Sequence, residues 1–470
     1  MFSAFSALSV RGRAAARLAA ATFVSGLLAA GATVAVAGTA SADEAAPNQR
    51  GATATIGGLK TYGDAVIHDA GGDLQVPAGL FEMSVEGGGT LQTYCVDLYN
   101  PTQKDAKYHE TDWSGTSLGA NKGAGKIRWI LQNSYPQVND LAALAARAGI
   151  ASGLTEQDAA AGTQVAIWRY SDHADVDAAD PQAEKLADYL EKSARDLAEP
   201  AASLTLDPPA VSGRPGELLG PVTVHTNAAG ATVTPPADAA TSGLRIVGKD
   251  RRPVTSVSNG GELYFEVPED AEAGSADLTV QASTTVPVGR AFASESRSQT
   301  QILAGSSEST VSAAASATWA KEGAVPALSA TRNCTEGGLD IKAVNRGDEE
   351  FAFELMGTEY AIAAGESRTV TVPLQEDQAY DFTITGADGL AERFTGVLDC
   401  RTRSSEMGAT TQTLSEPSPA TVAVPTTDVN LAETGSSAAT PLIAGTAIAL
   451  VVIGGAALVL TGRKQNRAQD

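Results

Sequence analysis

The feature that most restricts how this chain folds is a run of twenty apolar residues, "PLIAGTAIALVVIGGAALVL", beginning at Pro441 and followed by Arg463, Lys464 and Arg467. A helix of twenty apolar residues spans a bilayer, and a basic tail stays on the inner side. The segment 441–461, with its tail to residue 470, therefore reads as one C-terminal transmembrane helix. At the other end, Arg11, Arg13 and Arg17 precede an apolar stretch from Leu18 to Val36, and Ala40-Ser41-Ala42 fits a small-residue cleavage site. Residues 1–42 read as a secretory signal peptide cut between Ala42 and Asp43, with a retained N-terminal anchor helix as the alternative. Whatever folds into domains lies between these two ends, outside the membrane.

A chain of 470 residues is too long for one core. Its formal charge of −22 argues against nucleic acid as a partner. Both terminal segments are basic, so the part between them is more acidic still. Three of the four tryptophans, Trp113, Trp129 and Trp168, precede residue 200, as do most tyrosines. The first domain is thus the one with material for a large aromatic core.

Residues 51–203 read as an α+β domain. Strand-like runs such as "GLFEMSVEG" and "GTLQTYCVDLYNP" come first, and helices gather in the second half. Asp180-Pro181 with Glu184 supplies a cap, a first-turn proline and a capping-box partner; Thr155 with Asp158 starts a second helix, Asp140 caps "LAALAARAG", and a fourth spans about 124–132. From 204 to 305, short alternating runs ("PVTVHT", "ELYFEVP", "ADLTVQAS") separated by Pro, Gly, Asn and Asp indicate a β-sandwich module. Residues 306–330 are small and polar and read as a linker or edge strands. A small β-sandwich-like unit follows at 331–401, and Ser, Thr and Pro dominate 402–430, a disordered spacer.

A secreted chain with three cysteines poses a pairing problem. Cys334 and Cys400 flank the compact 331–401 unit, so a disulfide between them is the economical pairing, contributing about 4 kcal/mol by loop closure. Cys95 remains. Strand alternation puts Cys95 and Asp97 on one face and Tyr94, Val96 and Leu98 on the other. A lone cysteine is most often a small buried hydrophobe; a catalytic thiol with His68, His109 or His173 as base is another reading. A second oddity is Gln164, which shares the apolar face of its helix with Ala160, Ile167 and Trp168. A buried glutamine must find partners for its amide. A thiolate held against that carboxamide can attack its carbon, expel ammonia and leave a Cys95–Gln164 thioester, with Tyr94 and Trp168 as candidate shields from water.

"YCVD" followed by "TQVAIW" resembles the Cys-Gln thioester domain of Gram-positive surface adhesins. Cys95 matches the cysteine of the family's "YC" strand and Gln164 the glutamine of its "TQxAIW" helix, as do Ala166, Ile167 and Trp168. The resemblance covers 51–203 and implies a β-sandwich joined to a helical subdomain, with the bond at their junction. Ahead of the apolar run, Leu431, Ala432, Glu433, Thr434 and Gly435 resemble a sortase signal of the LAxTG form found in actinobacteria. That resemblance implies cleavage after Thr434 and its attachment to peptidoglycan, so that the membrane holds only the precursor.

The whole reads as a multidomain, wall-anchored adhesin: an α+β thioester head, two all-β sandwich-like stalk modules, a disordered wall spacer and a transmembrane helix. Its partner would be an amine-bearing surface protein or another nucleophile. It would bond once without turnover, so it is not an enzyme, and the expectation is neither cofactor nor metal. Asp97 is a candidate to assist the thioester. Asp172, Asp175, Asp177 and Asp180 lack the glycine and terminal glutamate of an EF-hand loop and read as caps and loop acids. Lys342 and Asn345 have the residue types of an isopeptide bond, but none is expected within one short segment. The alternatives are a structural or non-covalent surface protein and, more weakly, a secreted cysteine hydrolase or transferase.

Overall fold

The structure is a computed structural model that describes residues 50–385 and 391–401, together with the backbone of 412–415 and 418–421. The segments read as a signal peptide, a sorting motif and a transmembrane helix lie outside the described residues. Among the described residues no helix is long and apolar enough to cross a membrane. Within the region read as a spacer, Gln412–Ser415 pairs antiparallel with Ser418–Thr421.

The head is built on seven strands in the order Gly72–Val85, Thr90–Cys95, Gln301–Ser306, Ala291–Ser294, Lys107–Thr111, Thr53–Asp69 and Val176–Ala178. Thr53–Asp69 and Gly72–Val85 form a long hairpin about the two-residue turn Ala70-Gly71, and that pairing joins the two ends of the run. Six antiparallel strands therefore close into a ring, which leaves few open edges.

This topology corrects the boundaries read from the sequence. Two of the seven strands, Ala291–Ser294 and Gln301–Ser306, come from the region assigned to the middle module, so the head is discontinuous and not confined to 51–203. Glu308–Trp319, read as linker or edge, is a twelve-residue strand at the centre of the middle module. Its run of Ala and Ser hid the alternation, because small residues are buried on both faces: Ser309, Ala313, Ala315 and Ala317 on one, Ala314 and Ser316 on the other. The middle module is otherwise built of two sheets. Glu308–Trp319 and Gly274–Thr285 pair over twelve positions in one sheet, and the other runs Arg245–Val247, Glu262–Glu266, Leu218–Thr226, Leu204–Asp207.

Four helices cover one side of the head: α1 (Ala124–Asn133), α2 (Leu141–Arg147), α3 (Glu156–Ser171) and α4 (Pro181–Ser193). Their starts follow the capping logic. The Thr155 side chain accepts from Asp158 N–H and the Asp158 carboxylate accepts from Thr155 N–H, a complete capping box. Asp140 caps α2 at Ala143, and Asp180 caps α4 at Gln182 and Ala183 with Pro181 in the first turn. Gly149, at φ +69°, ends α2 and lets Ile150 N–H donate back to Ala145. Helix α3 is buried on every side from Ala159 to Trp168 and is the central helix of the head.

Strand alternation sorts the side chains into two cores. Tyr94, Val96 and Leu98 pack with α1, α3 and α4 through Ile127, Val165, Trp168 and Leu186. Cys95 lies in the other core with Phe81, Leu91 and Tyr108, which runs on into Val222 and Phe265 of the sandwich. The C-terminal unit begins at Pro326–Asn333, carries the Cys334–Cys400 disulfide with Cα atoms 5.1 Å apart, and buries Leu339, Ile341, Phe351 and Phe394.

Candidate thioester site

Cys95 is the last residue of its strand, and Gln164 lies mid-way along α3; neither is exposed. The Gln164 carboxamide is docked on the Cys95 backbone: Cys95 N–H donates to Oε1 at 3.0 Å, and Nε2 donates to the Cys95 carbonyl at 2.9 Å. Both ends of the amide are thus satisfied by one residue, and the carboxamide spans that residue's Cα, two covalent bonds from Sγ. Without these bonds a fully buried amide would cost several kcal/mol, on the order of 2–7 by transfer. On the other side of the strand, Gln301 Nε2 donates to Cys95 Sγ at 3.5 Å, and Thr93 Oγ1 donates to Gln301 Oε1 at 2.9 Å.

The surroundings are apolar with anchored polar tips. Trp168, one turn beyond Gln164, is buried, and its Nε1 finds no acceptor among the described residues. The Tyr94 hydroxyl donates to the Tyr135 carbonyl at 2.9 Å, and burial pushes its phenol above the usual range. Burial also raises the phenol of Tyr108, and the nearby Cys95 adds to that; Tyr108 shares a 2.6 Å hydrogen bond with Ser298 and donates to the Gln299 carbonyl. Ser134 and Thr163 share a hydrogen bond of 2.6 Å next to Gln164 in sequence.

Asp97 is buried two residues past Cys95. Asp172, set aside as a loop acid, ties the segment after Cys95 to the end of α3: its carboxylate accepts from Leu98 N–H at 3.0 Å and from Ser171 Oγ at 2.6 Å, and burial pushes it up to about 7. Asp177 faces His68 and Arg169, and Asp180 is the α4 cap. The histidines named as bases have other settings. His68 bonds Asp73 and Asp177 on the rim, His173 is exposed, and His109, three strands from Cys95 in the sheet order, bonds Thr53 and Glu295. In the C-terminal unit, the Asn345 carboxamide is bonded to backbone groups at Val325, Gly347, Glu349 and Ile362, while Lys342 alternates onto the exposed face of the same strand.

Two other arrangements stand apart from the thiol. Glu376, Asp377 and Asp399 bring one oxygen each within 4.8 Å of one another, the hard donors that suit calcium or magnesium. A cleft of about 640 Å³ is lined by His109, His225, Glu295, Arg332, Tyr380 and Arg393, with neither Cys95 nor Gln164 on its wall.

Gln301, Thr93 and Tyr108 escaped the sequence reading. Gln301 stands in "QTQILAG", a strand by pattern, but nothing local says that it pairs with Cys95 across more than two hundred residues.

Residues 92–196 match the family model described as thioester domain, a span that holds both Cys95 and Gln164. Residues 320–397 match that of the bacterial phospholipase C C-terminal domain, a unit for which the sequence offered no motif. No curated protein matches the chain. Among solved structures, the Bacillus anthracis TIE protein is similar over 74% of this chain and 81% of its own, at 15% identity and a TM-score of 0.27. The thioester domain of the Enterococcus faecium TIE86 protein is similar over 57% of this chain and 97% of its own, at 14% identity and a TM-score of 0.27. The E. coli chaperone DraB is similar over 42% and 98%, at 13% identity and a TM-score of 0.16.

Proposed function

We propose that the protein is a cell-wall-anchored surface adhesin whose head carries a Cys95–Gln164 thioester and bonds covalently to a nucleophile, most simply a lysine amine, on its target. The observation that supports this most is the docking of the Gln164 carboxamide on Cys95, both fully buried, inside the segment that matches the thioester domain. Thioester formation joins Sγ to the carboxamide carbon and breaks the carbon–nitrogen bond, and the thiol proton leaves with the nitrogen as ammonia. Cys95 N–H, already 3.0 Å from Oε1, stabilises the negative charge that collects on that oxygen in the tetrahedral intermediate. Burial keeps water from the product.

In the binding step an amine attacks the same carbon, an amide forms, and Cys95 departs as thiolate and takes up the proton released by the amine. The reaction consumes the site, so the protein is a single-use reagent and not an enzyme. Thr434, in the sorting motif, is the residue that sortase would join to peptidoglycan. Partner choice has to come from docking outside the thioester, because a bare amine is unspecific. The hydrolase reading loses ground to the histidine positions, since His68 is engaged by Asp73 and Asp177 and His109 by Thr53 and Glu295.

The test is intact mass of residues 43–434 before and after methylamine. A shorter head ending at 203 would lack two strands of its own sheet. A mass one ammonia below the sequence value, converted to a methylamine adduct and absent in Cys95→Ala and Gln164→Ala, supports the reading. The full sequence mass with no adduct overturns it.

A further inference from the structure

Two glutamines touch Cys95, and the thioester reading uses only one. Gln164 arrives from α3 and bonds the backbone; Gln301 arrives from the neighbouring strand and bonds the sulfur. The sheet register makes this contact unavoidable. Gln301 is the direct antiparallel partner of Cys95, so their side chains leave the sheet on the same face with Cβ atoms about 5 Å apart. Thr93, two residues before Cys95, lies on that face as well. Its hydroxyl donates to Gln301 Oε1 and thereby turns the amide so that Nε2 faces Sγ. Gln301 and Thr93 are both 0% exposed, and the Tyr108 hydroxyl borders the same space. A buried amide aimed at a sulfur is costly to install unless the sulfur carries charge at some stage, since a neutral thiol is a poor acceptor.

We infer that Gln301 is a catalytic residue of the thioester chemistry: its amide, oriented by Thr93, donates to the Cys95 sulfur while that sulfur is anionic. The inference rests on the proposed function. In thioester formation the donor stabilises the attacking thiolate before the sulfur–carbon bond forms. In aminolysis the sulfur–carbon bond breaks, the electron pair returns to sulfur, and the same N–H meets the departing thiolate before it is protonated by the spent amine. The amide of Gln301 is neither consumed nor charged in either direction. Cys95 N–H serves the carbonyl oxygen and Gln301 Nε2 serves the sulfur, so each developing charge has its own donor.

The test compares wild type, Thr93→Val, and the double variant Thr93→Val/Gln301→Met in the 43–434 chain. Replacing both buried partners by apolar groups of similar shape leaves no orphaned polar group, which keeps the fold. Methylamine incorporation is followed by intact mass over time, thioester content is read from the starting mass, and the melting temperature is recorded. The expected result is a fall in aminolysis rate of about tenfold or more in the double variant, as for loss of a donor to a developing anion, with the melting temperature held within a few degrees. Thr93→Val alone, which keeps the amide but frees its orientation, should lose less. In a Gln164→Ala background, where the thiol cannot be capped, Gln301→Met should move the pH profile of methyl methanethiosulfonate labelling to higher pH, a change that a packing role would not produce. A reactive wild type with an equally fast double variant and an unmoved profile overturns the inference alone. A wild type without a thioester overturns the proposed function and this inference together. A thioester that survives Gln164→Ala and disappears in Gln301→Met would place the bond on Gln301 and overturn both assignments.

Discussion

Gly162→Ala sets two rules against each other. In the interior of a helix, replacing Gly by Ala gains about 1 kcal/mol from propensity, so a reading of α3 as an isolated helix expects stabilisation. The structure says otherwise. A Cβ on Gly162 would sit 2.4 Å from the Ala183 carbonyl oxygen and 3.2 Å from Leu186 Cβ, where ordinary contact begins at 3.4 Å. About 1 Å of separation between α3 and α4 is needed, and α3 is not free to supply it. Gln164 follows Gly162 by two residues, about 200° around the helix, so it points away from α4 toward the Cys95 strand, and its bonds of 3.0 and 2.9 Å are already at contact distance. It is α4 that has to retreat, loosening the packing of Leu186, Ala187 and Leu190. Overpacking costs about 1–3 kcal/mol; a clash of about 1 Å against a backbone carbonyl belongs to the upper half of that range, about 2–3 kcal/mol, so that after the propensity gain a net loss of about 1–2 kcal/mol remains. For a domain of this size that lowers the melting temperature by about 2–8 °C. Urea and thermal unfolding of the 43–434 chain measure it. Because α3 keeps its seat on the strand, the Cys95–Gln164 chemistry should persist in the variant. A Gly162→Ala protein as stable as wild type, or more so, would refute the claim that close approach of α4 is what requires glycine here.

Arg290 is 1% exposed and pairs with Glu110, Glu199 and Asp112, while Glu110 also accepts from Ala52 and Ser203 N–H. Arg290→Met strands the buried Glu110 carboxylate and should cost about 3–5 kcal/mol in urea unfolding, and Arg290→Met/Glu110→Gln should recover part of that loss. The pH response follows from two acids pushed up to about 7 by burial, Asp172 and Glu392, the latter also by Asp277. Each binds its proton more tightly folded than unfolded, so its neutral form favours the native state, and the contribution of these two acids to stability should fall as pH rises from about 4 to about 7. Asp172→Asn and Glu392→Gln should each flatten that slope in melting temperature against pH, and an unchanged slope would refute the assignment.

The parts of this molecule that were legible in advance are those specified by neighbours in sequence. Asp140, Thr155 and Asp180 cap helices within three residues of themselves, and the structure starts α2, α3 and α4 where they stand. The faces of the Cys95 strand followed from alternation alone. Cys95 and Gln164 were found because each sits in a recognisable local context, even though what joins them is a contact over 69 positions. What escaped was strand pairing. "QTQILAG" reads as a strand by pattern and "AFAS" was not singled out, but even for the first a period of two says nothing about which sheet a strand joins, and the intervening sandwich made the wrong one look natural. The same blindness hid Gln301, whose role exists only through its register with Cys95. The consequence is mechanical as well as interpretive. Gln301–Ser306 leads directly into Glu308–Trp319, the central strand of the sandwich. A pull on the chain from its C-terminal side therefore enters the head through the strand that lies against Cys95, and the residue facing the sulfur is the first buried glutamine it reaches in the head.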